Sequence, residues 1–260
     1  MNAWIPTISA FFTMLLAGGG SLLLASRVPA TWHNDITVKS LKTSMAMVAT
    51  MSSLLLGLMV NSARFNYSEA YSDVQNYAAS LQIADLELLS FGAAACPLRR
   101  TLQDYARQLV AETWDADDDN GHSPALRTLL RLDGEIRALP AITSEQQQVR
   151  SNLLSISRQL VEARWKVTGV ARTATPAIFI SVVICWFALI FAYSGFFAPH
   201  TPVAFIGHIL AMAAISAAIF MVTEMGEPFS GPIQVSPAPV MRQLLRMEAE
   251  PCPAALLPAR

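Results

Sequence analysis

Three aspartates alternate along one acidic segment of the chain, Asp115, Asp117 and Asp119 within DADDDNG. Alternating oxygen ligands are typical of the calcium loop of an EF-hand, which also needs glycine at its sixth position and glutamate at its twelfth. Here those two positions hold Asn120 and Leu126. We therefore interpret the segment as a solvated turn, with a looser calcium site as a weak alternative, and we predict no metal centre.

Two ionisable residues, His208 and Glu224, lie in or beside the last apolar segment. Because an ionisable group in a membrane is costly, both are candidates for function. His208 could face a pore, donate to a backbone carbonyl of a neighbouring helix, or serve an ion-coupled transporter. The transporter is the weakest hypothesis, since no inverted repeat or pair of broken helices is visible. Glu224 could ring an opening, or be an interfacial carboxylate.

The second apolar segment has a face that is polar at one end and apolar further along. Such a face can line an aqueous path with an apolar constriction, as in a gated pore. The alternative is that its serines and threonines only allow close helix packing. The candidate pore-lining residues are Ser44, Met51, Leu55, Leu58, Asn61, Ser62 and Arg64.

No catalytic motif is visible, whether H-E-x-x-H, a P-loop, G-x-S-x-G or an intramembrane aspartate pair. We therefore predict that the chain is not an enzyme and takes no cofactor. The net charge is −1, with no motif for binding nucleic acid. Only 14% of residues are charged and 53% are hydrophobic, whereas soluble domains carry about 25% charged residues, so the composition indicates a membrane protein.

Four apolar segments are long enough to cross a bilayer. The first, Trp4–Ala25, is predicted to be an uncleaved helix rather than a signal peptide, because no positive residue precedes it. The second belongs to a continuous helical pattern over 41–91, a rod of about 75 Å against a hydrocarbon core of ~30 Å. A matching rod over 143–198 contains the third span, Ala177–Phe197, and Val203–Thr223 is the fourth.

The parts of both rods outside the bilayer have heptad-like apolar spacing, so we expect them to pack antiparallel. Two shorter amphipathic helices between them complete a predicted four-helix polar domain. The fold class is thus an all-α membrane protein with four transmembrane helices, in which spans 2 and 3 extend into a cytoplasmic helical bundle. The predicted divisions are 1–62 (helices 1 and 2), 63–175 (cytoplasmic domain), 176–224 (helices 3 and 4) and 225–260 (Pro-rich tail).

Three cysteines, Cys96, Cys185 and Cys252, are far apart and form no C-x-x-C motif. This spacing predicts neither a disulfide framework nor a zinc site. Free thiols are typical of a reducing cytoplasm.

An even number of spans places both termini and the middle domain on one side of the membrane. Basic residues near the membrane ends are more frequent on that side, so the positive-inside rule favours a cytoplasmic middle domain in an inner-membrane, multi-pass protein. The residues on that side are Arg64, Arg164, Lys166, Arg172, Arg242 and Arg246, against Arg27, Lys39, Lys42 and His200 on the other.

Two stretches carry a family resemblance: LLLGL at 54–58, followed by SA at 62–63 and YSEA at 67–70, and EPFSGPIQVSP at 227–237. They resemble the bestrophin-like family of bacterial and plant membrane proteins, as do the surroundings of Trp114 and of Arg164–Trp165. In the second stretch the motif residues are Glu227, Pro228, Phe229 and Gly231. Their own chemistry favours structural docking of the chain as it leaves the last span.

The resemblance to bestrophins, which are pentameric anion channels, implies an oligomeric ion channel that conducts a small anion. The alternative is a non-conducting membrane scaffold or sensor that acts through its cytoplasmic helical domain. The expected partners are the lipid bilayer and further copies of the chain.

Overall fold

The computed structural model describes residues 4–25, 35–115, 123–170, 177–197, 201–250 and 252. Within these ranges all the regular secondary structure is helical. The helices are α1 (Trp4–Ala25), α2 (Asp35–Phe91), α3 (Cys96–Val110), α4 (Pro124–Ala138), α5 (Ser144–Val170), α6 (Ala177–Phe197), α7 (Pro202–Met225) and α8 (Ala238–Ala249). A 3-10 turn, Ala93–Ala95, precedes α3, and a π-helical turn, Ala111–Asp115, follows it.

The chain forms two compact units. The membrane unit comprises residues 1–67 and 173–233, and the helical unit comprises residues 68–172 and 234–260. Four helices of the described chain are long and apolar enough to cross a membrane, namely those containing Trp4–Ala25, Val38–Phe91, Ile178–Phe197 and Pro202–Met225. The predicted fold class, an all-α protein with four transmembrane helices, is confirmed.

Helix α1 packs closely against α6 and α7 in the membrane unit. Glycine permits the approach to α6, because a Cβ at Gly195 would collide with the backbone carbonyl of Gly18 on α1. Neither Gly19 nor Gly20 has a neighbour that a Cβ would meet, so only the first of the three successive glycines serves close packing. The buried core is Ala10, Met14, Ile180, Val183, Phe187, Phe191, Met212 and Ile219.

Several helices end or begin at residues whose types are typical of helix ends. Gly92 follows α2 with a φ of 97°, a left-handed conformation that favours glycine. Ser123 caps α4 by accepting from the backbone N–H of Leu126 at 3.1 Å. Thr143 and Gln146 form a reciprocal capping box at the start of α5, with bonds of 3.1 and 3.3 Å.

The helical unit has one more helix than the four that were predicted. Helix α8 packs on α3 through a buried stripe that includes Val240, Leu244 and Met247. The Pro-rich tail over 225–260 therefore contributes a docked helix to this unit. Asn152 near the start of α5 donates to Glu87 near the end of α2 at 3.2 Å, which fits antiparallel packing of these two helices.

Cys96 and Cys252 form a disulfide, with their Cα atoms 5.9 Å apart. The prediction of three free thiols was therefore wrong for two of them, and only Cys185 is free. Spacing along the sequence could not reveal the pair, because the docking of α8 on α3 brings together residues separated by 156 positions.

Some predicted features lie outside the described residues. Continuity between α5 and α6 depends on residues 171–176, and the turn between α6 and α7 includes residues 198–200. Asp117 and Asp119 of the acidic segment also lie outside, and Asp115 ends the π-helical turn.

Candidate functional site

Helix α2 is the span least covered by its own chain. In its most apolar 18-residue window 6% of residues are buried, against 17%, 28% and 22% in α1, α6 and α7. Its mean hydropathy in that window is 1.7, close to the 1.8 of α1. A membrane helix that its own chain covers so little is available to contact another protein copy or to face water.

The exposed side chains of α2 follow one heptad-like line, which we call the exposed α2 stripe. Its spacing alternates between three and four residues, the pattern of a helix surface that packs against a symmetric copy. Its large apolar members are each 59–66% exposed. The stripe consists of Ser44, Met47, Met51, Leu54, Leu58, Asn61 and Phe65.

Four of the predicted pore-lining residues lie on this stripe, namely Ser44, Met51, Leu58 and Asn61. Ser62 and Arg64 are exposed next to Asn61, at the end of the stripe that is farther along the chain. Leu55 lies elsewhere: it is half-buried and packs against the core of the membrane unit. The structure therefore gives Leu55 a packing contact that the apolar pattern of the sequence did not reveal.

The polar side chains of α2 fall into two classes. Ser44 and Thr50 donate to carbonyls four residues earlier, at 3.2 and 2.9 Å, so their hydroxyls are satisfied within the helix. Asn61 and Arg64 have longer polar groups, and within the described chain neither has a hydrogen bond or an ion pair. These two residues, three apart on one helix, therefore require water or another copy of the chain.

His208 is satisfied inside the membrane unit. Its Nδ1 lies 2.7 Å from the carbonyl oxygen of Ala204, and its Nε2 lies 2.7 Å from the hydroxyl of Ser194. Since a carbonyl can only accept, Nδ1 carries the proton and Nε2 accepts from Ser194 in the neutral ring. The carbonyl that His208 contacts therefore belongs to its own helix and not to a neighbouring one, and the contact with α6 is made through Ser194.

Glu224 and the tail motif form one folded-back turn at the end of α7. The carboxylate of Glu224 is 4% exposed and accepts from the backbone N–H of Ile233 at 3.3 Å. Gly231 has a φ of 80°, and a Cβ there would collide with that carboxylate. Pro228 and Phe229 are buried. Each of these features has a packing role within the membrane unit.

Glu227, which is half-buried, also forms hydrogen bonds within this turn. Its backbone N–H donates to the carbonyl of Glu224 at 3.2 Å, and its carboxylate accepts from the hydroxyl of Ser230 at 3.4 Å. The tail motif therefore caps the last span through bonds within the membrane unit.

Arg164 and Glu112 form a largely buried ion pair in the helical unit, which the sequence did not predict. Arg164 on α5 donates to Glu112 at 2.9 Å and to the hydroxyl of Ser123 at 2.6 Å. Glu112 also accepts from the backbone N–H of Ala125 at 2.6 Å, so its charge sits at the N-terminus of α4. Glu112 lies in the π-helical turn Ala111–Asp115, which no sequence motif predicts.

Two buried tyrosines, Tyr77 of α2 and Tyr105 of α3, share a hydrogen bond between their hydroxyls. Burial raises the pKa of Tyr105 well above its ordinary value near 10, and the opposing effect of the nearby Arg164 is smaller. The folded protein therefore retains this phenolic proton to a higher pH than the unfolded chain does.

This difference predicts a loss of stability at high pH. The contribution of Tyr105 is complete below about pH 10 and is lost as the pH rises above that value. We expect Tyr105→Phe to show a smaller fall in the free energy of unfolding between about pH 9 and 11 than the wild type, measured by urea titration in detergent. Tyr71→Phe, at a half-exposed tyrosine of α2, should keep the wild-type fall, and equal falls in all three proteins would contradict the assignment.

Comparison with solved structures identifies the fold. A bacterial bestrophin homologue from Klebsiella pneumoniae aligns with a TM-score of 0.66 at 15% identity, covering 92% of this chain and 98% of that chain. Two variants of a bestrophin homologue from the same organism align with TM-scores of 0.67, at 15% and 13% identity, covering 93% and 96% of this chain and 100% and 99% of theirs. At these identities the likeness shows the fold alone.

No curated protein matches the chain. The family model for the bestrophin-like domain, in contrast, matches residues 11–240, which include most of the first span, the other three spans, the exposed α2 stripe and the tail motif. The expected resemblance is confirmed: the chain belongs to the bestrophin-like family.

Proposed function

We propose that the protein is an oligomeric ion channel that conducts small anions between copies of α2. The observation that carries the proposal is the exposed α2 stripe on the least covered span, with Asn61 and Arg64 unpartnered within the described chain. Membership of the bestrophin-like family supports it.

The physical reason lies in the cost of polar groups in lipid. An amide or a guanidinium facing hydrocarbon loses its hydration without compensation, so Asn61 and Arg64 favour an aqueous environment. A single α2 cannot enclose water, whereas several copies can surround a path. Leu54 and Leu58 then form an apolar constriction next to a polar end, an arrangement that can gate by excluding water. The positive charge of Arg64 at that end favours anions.

We place the protein in the inner membrane with the helical unit and both termini in the cytoplasm. The excess of basic residues near the membrane ends on that side supports this orientation. The disulfide between Cys96 and Cys252 speaks against it, because disulfides are rare in the cytosol. Labelling of an Arg127→Cys variant in a Cys185→Ser background, using a membrane-impermeant maleimide, decides the question: protection in intact cells supports the cytoplasmic side, and labelling there overturns it.

A flux experiment tests conduction. Purified protein in liposomes should pass chloride, and Arg64→Glu should reduce the preference for chloride over sodium by about tenfold or more, since the charge at the mouth changes sign. Arg127→Glu on α4 makes the same charge change outside the membrane unit and should leave the preference unchanged. Silence of the wild type over a range of pH and calcium concentrations would contradict conduction.

A non-conducting scaffold remains the second candidate, because the heptad-like spacing of the stripe also suits packing of α2 against a copy without any water between them. The two functions differ in a direct way. A scaffold forms the same oligomer but passes no ions, and its Arg64→Glu variant changes assembly rather than selectivity.

A further inference from the structure

We propose that the helical unit contains a binding site for an anion bearing a phosphate group, in the groove between α2 and α8. The groove has a volume of about 230 Å³, which is sufficient for a phosphate group with a small substituent. Its polar lining side chains are Gln75, Gln82, Arg242, Gln243 and Arg246, and Ala78, Ala79 and Pro239 complete it.

The charge of the groove defines the ligand class. Arg242 and Arg246 lie one turn apart on α8, where two like charges repel each other. Within the described chain neither guanidinium has a carboxylate partner, and no acidic side chain lines the groove. Two adjacent guanidiniums without counter-ions provide the planar, multiple donors that phosphate oxygens accept best.

Gln243 provides separate evidence that the groove binds a ligand. This residue is only 7% exposed, lines the groove, and makes no hydrogen bond to any other part of the described chain. Its amide is not among the fully buried unsatisfied groups of the described chain, so the amide opens onto the groove. A bound anion that accepts from its Nε2 gives this amide a partner that the described chain does not provide.

The α2 side supplies further donors. Gln75 already donates one N–H to the hydroxyl of Tyr71 at 3.1 Å, which orients its amide and leaves a second N–H available. Gln82, seven residues further along α2, lies on the same face two turns away. Ala78 and Ala79 between them have short side chains that leave room for the ligand. An anion bound here contacts both α8 and α2. Because α2 also carries the exposed α2 stripe, binding of the anion can influence that helix.

Calorimetric titration of the purified full chain with inorganic phosphate, at constant ionic strength in chloride, tests the site. We expect saturable binding, weakened by more than about tenfold in the double variant Arg242→Gln/Arg246→Gln, because charge-assisted bonds are lost. The matched control is Arg100→Gln/Arg127→Gln, which removes the same charge from exposed positions of the same unit. Gln243→Glu, which is of equal size but negative, should also abolish binding.

Titrations in nanodiscs of different lipid composition distinguish a lipid headgroup from a soluble phosphate compound as the natural ligand. In phosphatidylcholine nanodiscs, phosphate should bind as in detergent. If phosphatidylglycerol nanodiscs abolish this binding in the wild type, the natural ligand is an anionic headgroup, and if binding persists it is a soluble phosphate compound. Absence of saturable binding in every preparation, or equal weakening by the groove and control variants, would overturn the proposal. Since this titration needs no ion flux, it can fail while the channel proposal stands, and the reverse.

Discussion

Replacing Asp85 by alanine should lower the free energy of unfolding of the helical unit by about 3–5 kcal/mol. Asp85 on α2 pairs with Arg99 on α3 through bonds of 2.5 and 3.2 Å, and the two side chains are 5% and 4% exposed. Without the carboxylate, the guanidinium of Arg99 remains buried with only the backbone carbonyl of Glu250 as a partner. Urea titration in detergent, followed by circular dichroism, measures the change.

Two further variants establish the cause. Asp85→Ala/Arg99→Met removes both charges and should recover most of the loss, since a buried pair replaced by apolar residues is often neutral. Asp133→Ala breaks a pair whose arginine, Arg137, is 61% exposed, and should cost less than about 1 kcal/mol. A small effect of Asp85→Ala, similar to that of Asp133→Ala, would mean that the pair is hydrated in solution.

Loss of the disulfide should be the second large effect. Cys96→Ser should lower the free energy of unfolding by about 2–5 kcal/mol, because the bond closes a long loop and restricts the unfolded chain. The bond also holds the end of the α8 segment against α3, beside the hydrogen bond from Gln103 to the carbonyl of Met247 at 2.8 Å and the ion pair of Arg107 with Glu248 at 2.6 Å.

The free cysteine provides the control. Cys185→Ser should leave the unfolding curve unchanged, and a thiol reductant should destabilise the wild type and Cys185→Ser but not Cys96→Ser. Superimposable curves for the wild type with and without reductant would show that Cys96 and Cys252 are not bonded in the purified protein.

The helices were predictable because their signals are local. The apolar run of α1, the glycine after α2 and the capping residues Ser123 and Thr143 each act within a few positions, and their ends are correct in the structure. The family could also be predicted, since the stretch EPFSGPIQVSP resembles the family pattern. In the structure its Gly231 lies against the carboxylate of Glu224, just before the stretch.

The tertiary contacts were not predictable to the same degree. The Cys96–Cys252 bond, the ion pair of Arg164 with Glu112 and the unpartnered amide of Gln243 all depend on where α8 and the π-helical turn lie after packing. A short amphipathic stripe such as that of α8 predicts a helix but not the surface that it covers. Leu55 shows the same limit, because a run of leucines does not distinguish the core-facing side of α2 from its exposed side.

The central proposal is that exposed α2 stripes from several copies surround a common path. A cryo-EM map of the detergent-purified protein tests it most directly. We expect a closed ring of identical subunits in which Leu58 and Asn61 of every copy lie nearest the symmetry axis and the side chain of Arg64 opens onto water. A monomer, or a symmetric assembly in which α1, α6 or α7 lies nearest the axis, would contradict the proposal.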